Sequence, residues 1–204
     1  MSNLLRFRTF LAAFTRLIER TGHDESCIFD TGGALLADLV SHDDWLPDAC
    51  ARPHPRHYRQ YLLYCDPLER FSVVSFVWGP GQKTPVHDHT VWGMVGMMRG
   101  AELCRRYTRA AAGAPMPAGA QERLLPGTVD RVSPAVGDIH EVANAYDDRV
   151  SISVHVYGAN IGAVRRHVFD AASSTAKPFV SGYSSTTLPN FWDRSAEMRA
   201  ALGI

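Results

Sequence analysis

Two short stretches hold residues whose types and spacing can do chemistry. The run "TPVHDHTVWG", residues 84–93, carries His87 and His89 one residue apart. On a strand, side chains two apart share a face, so these imidazoles can aim at one point. Such a pair suits a metal ion, and it also describes two neighbouring surface histidines. The second run, "SVHVYG", alternates Ser153, His155 and Tyr157 with Val154 and Val156. A strand would place hydroxyl, imidazole and phenol on one face and the valines on the other. That pattern fits any half-exposed strand. It equally fits a hydrogen-bonded line in which Ser153 fixes the His155 tautomer and His155 positions the Tyr157 hydroxyl over a metal.

The glycines around the histidine pair add information. Gly81 precedes His87 by six, Gly93 follows His89 by four, and Gly100 follows Gly93 by seven. This resembles the first cupin motif, G-x5-H-x-H-x3-E-x6-G, with Gly93 standing where the motif has glutamate. Further on, "GDIHEVAN" offers Gly137, His140 and Asn144, resembling the second motif's G-x2-H-x3-N, although Pro134 sits one residue further from Gly137 than expected. The resemblance implies a mainly β fold: a cupin double-stranded β-helix barrel with N-terminal helices, holding a metal in its mouth through His87, His89 and His140. With Gly93 in place of glutamate, the ion would receive three neutral nitrogens and no anion. A divalent ion held so keeps its charge and up to three open positions, which suits a thiolate with O2 beside it. Non-haem Fe(II) oxygenases more commonly use two histidines and a carboxylate, and three histidines is a variant of that set. Zinc on three histidines is the competing assignment. Asp88, between the two histidines, should face the other way, as a turn or supporting group.

From "HYRQY" through "WGPGQKTPVHDHTVWG" to "SVHVYGAN", the chain resembles the thiol dioxygenases related to cysteine dioxygenase. The resemblance implies Fe(II) on the three histidines and insertion of both atoms of O2 into a thiol to give a sulfinate. It also implies that Ser153, His155 and Tyr157 orient the reacting groups. Mammalian-type members carry a cysteine near the position of Gly93, crosslinked to the tyrosine matching Tyr157; Gly93 cannot form that thioether. Those enzymes hold the substrate carboxylate with an arginine where this chain has Gln60. The glutamine resembles the bacterial branch that generally prefers 3-mercaptopropionate, in which an arginine beyond the Ser-His-Tyr strand reads the carboxylate. Arg166 is the best match, with Arg165 the alternative. The resemblance thus implies a small thiol carboxylate and O2 as partners. L-Cysteine as substrate and a non-catalytic metal- or ligand-binding cupin are the other readings.

These residues need a scaffold, and the sequence outlines one. Phe7, Phe10, Leu11, Phe14, Leu17 and Ile18 follow helical spacing up to Thr21-Gly22, and Ala34 to Val40 suggests a second, short helix. From about Tyr58, short β-type runs ("RQYLLYC", "RFSVVSFVWG", "VWGMVGMMRG", "AELCRRYTR", "RVSPAVGDIH", "VSISVHVYG") alternate with turn signals. The segment 110–120 reads as a small-residue loop. The organisation expected is one cupin domain over 1–204: helices to about 50, a barrel over 58–170, and an irregular C-terminal wrap over 171–204 with a last helix in "FWDRSAEMRAAL". The 204 residues are 46% apolar and 21% charged, with no net charge. That balance argues against nucleic acid or an anionic membrane as partner. No apolar run approaches the roughly 18 residues of a membrane span. Arg6, Arg8 and Arg16 interrupt the N-terminal apolar pattern, so a cytoplasmic protein is expected. Cys27, Cys50, Cys65 and Cys104 lack metal or disulfide spacing and read as reduced, mostly buried thiols. His23, His42, His54, His57 and His167 read as structural or surface residues. Trp78, Trp92, Met94, Met97 and Met98 read as core.

Overall fold

The computed structural model describes residues 3–22, 24–185 and 195–204. Helix α1 (Leu4–Thr21) buries Phe10, Phe14, Leu17 and Ile18, one stripe of its surface. The next helical stretch starts earlier than the sequence pattern suggests. It runs from α2 (Glu25–Cys27), where the Asp24 carboxylate accepts from the Cys27 amide, through a π-helical turn at Ile28–Gly32 into α3 (Gly33–Val40). At the other end, α4 covers Ser195–Leu202; Phe191 to Arg194 of the expected helix, like His23, lie outside the described residues. No described helix is long and apolar enough to cross a membrane.

Among the described residues, eleven strands follow the N-terminal helices: β1 (Arg59–Cys65), β2 (Ser72–Trp78), β3 (Val86–His87), β4 (Gly93–Arg99), β5 (Glu102–Tyr107), β6 (Ala118–Leu124), β7 (Val129–Val132), β8 (His140–Asn144), β9 (Ser151–Tyr157), β10 (Arg166–Asp170) and β11 (Thr175–Phe179). They form a five-stranded sheet, β1-β2-β9-β4-β7, and a six-stranded sheet, β11-β10-β3-β8-β5-β6, with antiparallel pairing throughout. The mainly β architecture is the one expected from the sequence.

Local assignments differ in four places. Strand β6 begins at Ala118, inside the segment read as a loop. Strand β11 pairs with all of β10, so the chain after Asp170 is not wholly irregular. The run "RVSPAVGDIH" splits: β7 ends at Val132, a turn links Ser133 to Gly137, and His140 opens β8. Strand β3 ends at His87, leaving His89 just beyond it.

The three central strands of the five-stranded sheet, β2, β9 and β4, are buried on both faces along almost their whole length. Ile152, Val154 and Val156 of β9, Val73 and Val77 of β2, and Met94 and Met98 of β4 join Phe10, Phe14, Leu36 and Val40 in one apolar cluster. The helices therefore cover one face, and the other face is left for polar side chains. This layering depends on close approach at Gly96 of β4, where an added Cβ would lie 2.9 Å from both Leu36 Cγ and Val40 Cγ1 of α3. Gly96→Val should push α3 off the sheet and cost about 1–3 kcal/mol, the usual range for overpacking. A lowered urea midpoint at unchanged slope would show it; an unchanged midpoint would mean that α3 is not seated as described.

Candidate active site

Three imidazoles meet between the sheets. His87 closes β3, its register partner His140 opens β8, and His89 follows two residues after His87. Their ring centroids are 4.8 to 4.9 Å apart, and one nitrogen from each falls within 4.8 Å of the others. All three are buried. His89 reaches the cluster because the chain turns at Thr90, which has a φ of 60°. Asp138 holds that turn: its carboxylate accepts from the amides of His89 and Thr90 at 3.0 and 2.9 Å.

The second nitrogen of each ring is already engaged. His87 Nδ1 donates to the Pro85 carbonyl at 3.0 Å, and His89 Nδ1 faces the Asp138 carboxylate and carbonyl at 3.1 and 3.2 Å. Both partners are acceptors, so both Nδ1 atoms carry the proton and both Nε2 lone pairs are free. His140 Nδ1 lies 3.5 Å from Cys104 Sγ. Burial, and then the neighbouring imidazoles, push His87 and His140 well below the ordinary histidine range, so both are neutral at pH 7. Neutral rings with converging lone pairs and braced outer nitrogens fit a divalent metal ion. Cys104, read from sequence as packing alone, also sits with Asp130 behind His140. Burial raises its thiol to about 12, so it is a neutral neighbour.

Strand β9 lies on the facing sheet. Ser153, His155 and Tyr157 are as buried as the valines between them, which removes the half-exposed alternative. Ser153 Oγ stands 2.8 Å from His155 Nε2, and His155 Nδ1 stands 2.7 Å from the Tyr157 hydroxyl. Trp78 Nε1 donates to Ser153 Oγ at 3.3 Å. Burial keeps His155 neutral and raises the Tyr157 phenol, which stays protonated. The Tyr157 ring stacks on His89 with 5.6 Å between centroids. Opposite it in register is Gly93, where an added Cβ would stand 2.8 Å from Tyr157 Cδ1 and 3.1 Å from Val132 Cγ2. A side chain there would displace the Tyr157 ring.

A cavity of about 190 Å³ opens beside His87, lined among others by Tyr58, Gln60, Phe76, Arg166 and Phe179. Arg166, the first residue of β10, is only 3% exposed, whereas Arg165 is on the surface. One guanidinium nitrogen donates to Ser181 Oγ at 2.7 Å, and the group lies over the Phe179 ring at 4.7 Å from its centroid. Its Nε has no partner, and no carboxylate among the described residues pairs with it. Gln60 is fixed beside it by bonds from Nε2 to Ser181 Oγ and the Gly182 carbonyl at 3.2 and 2.9 Å. Asp88 faces away from the imidazoles and accepts from the amide and Nδ1 of His167 at 2.6 and 2.8 Å, tying the chain beyond β3 to β10.

Sequence reasoning missed Ser181, Asp138, Tyr58 and Glu102. Asp138 carried a weak signal, a Gly-Asp turn two residues before His140. Ser181 carried none, since it meets Gln60 from 121 residues away. Glu102 is a fully buried carboxyl on β5 facing Ser153 and Trp78, and its signal was an acidic residue beside apolar runs.

The chain is similar to a conserved double-stranded β-helix protein from Klebsiella pneumoniae (20% identity over 59% of this chain and 94% of that one, TM-score 0.44). It is also similar to a cupin superfamily protein from Desulfitobacterium hafniense (13% identity over 58% and 93%, TM-score 0.42). The family cysteine dioxygenase type I matches residues 58–170, which span β1 to β10 and hold every site residue described above except those after Asp170. The chain belongs to the cysteine dioxygenase type I family.

Proposed function

We propose that this protein is an Fe(II)-dependent thiol dioxygenase whose substrate is a small thiol carboxylate, 3-mercaptopropionate above all, converted with O2 to its sulfinate. The carrying observation is Arg166: a buried guanidinium that no carboxylate among the described residues contacts, with Asp88 acting on it only from a distance, in the cavity that also holds His87. An uncompensated buried cation is costly and is relieved by an anionic ligand. A carboxylate matches the planar fork of the guanidinium.

Fe(II), held by His87, His89 and His140, would supply the electron transfer between sulfur and O2, which redox-inert zinc cannot. Imidazole is an uncharged metal ligand, so three of them would leave the charge of the ion uncancelled and favour a thiolate there. Arg166 fixes the other end of the substrate, and Gln60 adds a neutral polar group whose amide is immobilised by Ser181 and Gly182. Phe76, which stacks on His155 at 4.1 Å, and Phe179 keep the cavity walls apolar. Tyr157 offers a neutral hydroxyl, positioned by His155, beside the imidazole cluster. In balance, a thiol and O2 give a sulfinate and one proton; sulfur is oxidised and O2 is reduced.

The lining also bears on the choice between 3-mercaptopropionate and L-cysteine. It contains one cation and no carboxylate. The ammonium of cysteine would lie near Arg166 without an anion to pair with, a like-charge contact that 3-mercaptopropionate avoids.

Oxygen uptake with mass-spectrometric detection of the sulfinate, across 3-mercaptopropionate, L-cysteine and cysteamine with iron quantified, tests the function. The expected order of kcat/KM is 3-mercaptopropionate, then cysteine, then cysteamine, which lacks the carboxylate; no sulfinate from any of them would end the proposal. His87→Ala should lose iron and oxygen uptake together. Full turnover by an iron-free variant would show that the imidazole cluster is not the reacting centre.

A further inference from the structure

Behind the Ser-His-Tyr line lies a carboxyl group that the proposed chemistry leaves unused. Glu102, on β5, is completely buried, and neither carboxyl oxygen has a hydrogen bond of normal geometry. No cation among the described residues pairs with it. Ser153 of β9 and Trp78 of β2 face it, and both favour its ionised form. Asp130 of β7, itself paired with Arg106 of β5, adds negative charge nearby, and Cys104 of β5 and Tyr157 of β9 feel Glu102 in turn. Burial outweighs these two neighbours and raises the Glu102 carboxyl to about 7.

We infer that Glu102 is a positioning residue that sets the direction of the hydrogen bonds from Ser153 through His155 to Tyr157. The inference rests on the dioxygenase reading only for its effect on rate; the hydrogen-bond logic stands on the residues alone. Ser153 Oγ has one proton to give and can accept two. Trp78 Nε1 fills one acceptor position. As a carboxylic acid, Glu102 donates to Ser153, so Ser153 donates to His155 Nε2. The His155 proton is then on Nδ1 and is given to the Tyr157 oxygen, which leaves the Tyr157 proton free for the site. As a carboxylate, Glu102 takes the Ser153 proton. His155 must then donate from Nε2 to Ser153, and the Tyr157 hydroxyl turns its proton back onto Nδ1. Both states keep the line hydrogen-bonded from Trp78 to Tyr157, and they differ in whether the Tyr157 proton is turned back onto His155 or left for the substrate.

Infrared difference spectra of the iron-loaded, oxygen-free protein should show a carboxylic-acid carbonyl band that disappears as pH rises, with a midpoint near neutrality, and that is absent from Glu102→Gln. Sulfinate formation by the wild type should fall about ten-fold from one unit below that midpoint to one unit above it. Glu102→Gln, whose amide donates at every pH, should keep its rate across that range. A wild type with no such band, or a variant with the same falling limb, overturns the inference. If Glu102→Gln does not fold, nitrogen-15 resonances of His155 in zinc-loaded wild-type protein decide the point. Transfer of the ring proton from Nδ1 to Nε2 across the same midpoint supports the inference, and one tautomer throughout overturns it. Absence of sulfinate from the wild type at every pH would defeat the dioxygenase reading, leaving the infrared and nitrogen measurements to judge Glu102 separately.

Discussion

A positive charge held inside the fold, with no carboxylate among the described residues in contact with it, organises the cavity. Arg166 is buried, its Nε is unsatisfied, and the groups that hold it are a hydroxyl and an aromatic face. Neutral contacts of that kind orient a guanidinium without cancelling it. The surrounding structure serves to keep it in place. Strand β11 pairs with the whole of β10, Asp88 grips His167 next to Arg166, and β10 pairs with β3 so that Val168 lies opposite His87. The cation and the first imidazole are thus carried on adjacent strands of one sheet, and their separation is set by strand geometry rather than by loops.

The rest of the site follows from how the other sheet is dressed. Strand β9 is covered by helices on its valine face and by the six-stranded sheet on its Ser-His-Tyr face. Most polar groups so buried are hydrogen-bonded, and the line is accordingly continuous from Trp78 to Tyr157. Burial also keeps His87, His140 and His155 neutral. One physical cause, exclusion of water from between the sheets, therefore yields neutral metal-competent nitrogens, a protonated phenol and a guanidinium in want of an anion.

Much of this was legible in the sequence where the relevant spacing is local. The period of two in "SVHVYG" placed Ser153, His155 and Tyr157 on one face, and the histidines of "PVHDH" and "GDIHEV" do come together. The strand rule was not the reason in the case of His89, which lies beyond β3 and is turned inward at Thr90 by Asp138. Ser181 and Asp138 were not legible, because their partners lie 121 and 49 residues away and no periodicity encodes such contacts. Glu102 escaped because a single acidic residue in a short strand ordinarily faces solvent. Strand β11 escaped because "TAKPF" carries a proline and a lysine, which mark an edge strand rather than a core one.

On the proposed function, Arg166 receives the substrate carboxylate. Anaerobic titration of the iron-loaded protein with 3-mercaptopropionate and with its uncharged amide, in wild type and in Arg166→Met, measures this directly. Charge-assisted hydrogen bonds of about 1.5–3 kcal/mol correspond to roughly 10- to 100-fold in affinity. The acid should therefore bind that much more tightly than the amide in the wild type, and the difference should collapse in Arg166→Met at unchanged iron content. Equal affinity of acid and amide in the wild type, or a preference that survives in Arg166→Met, would contradict the account.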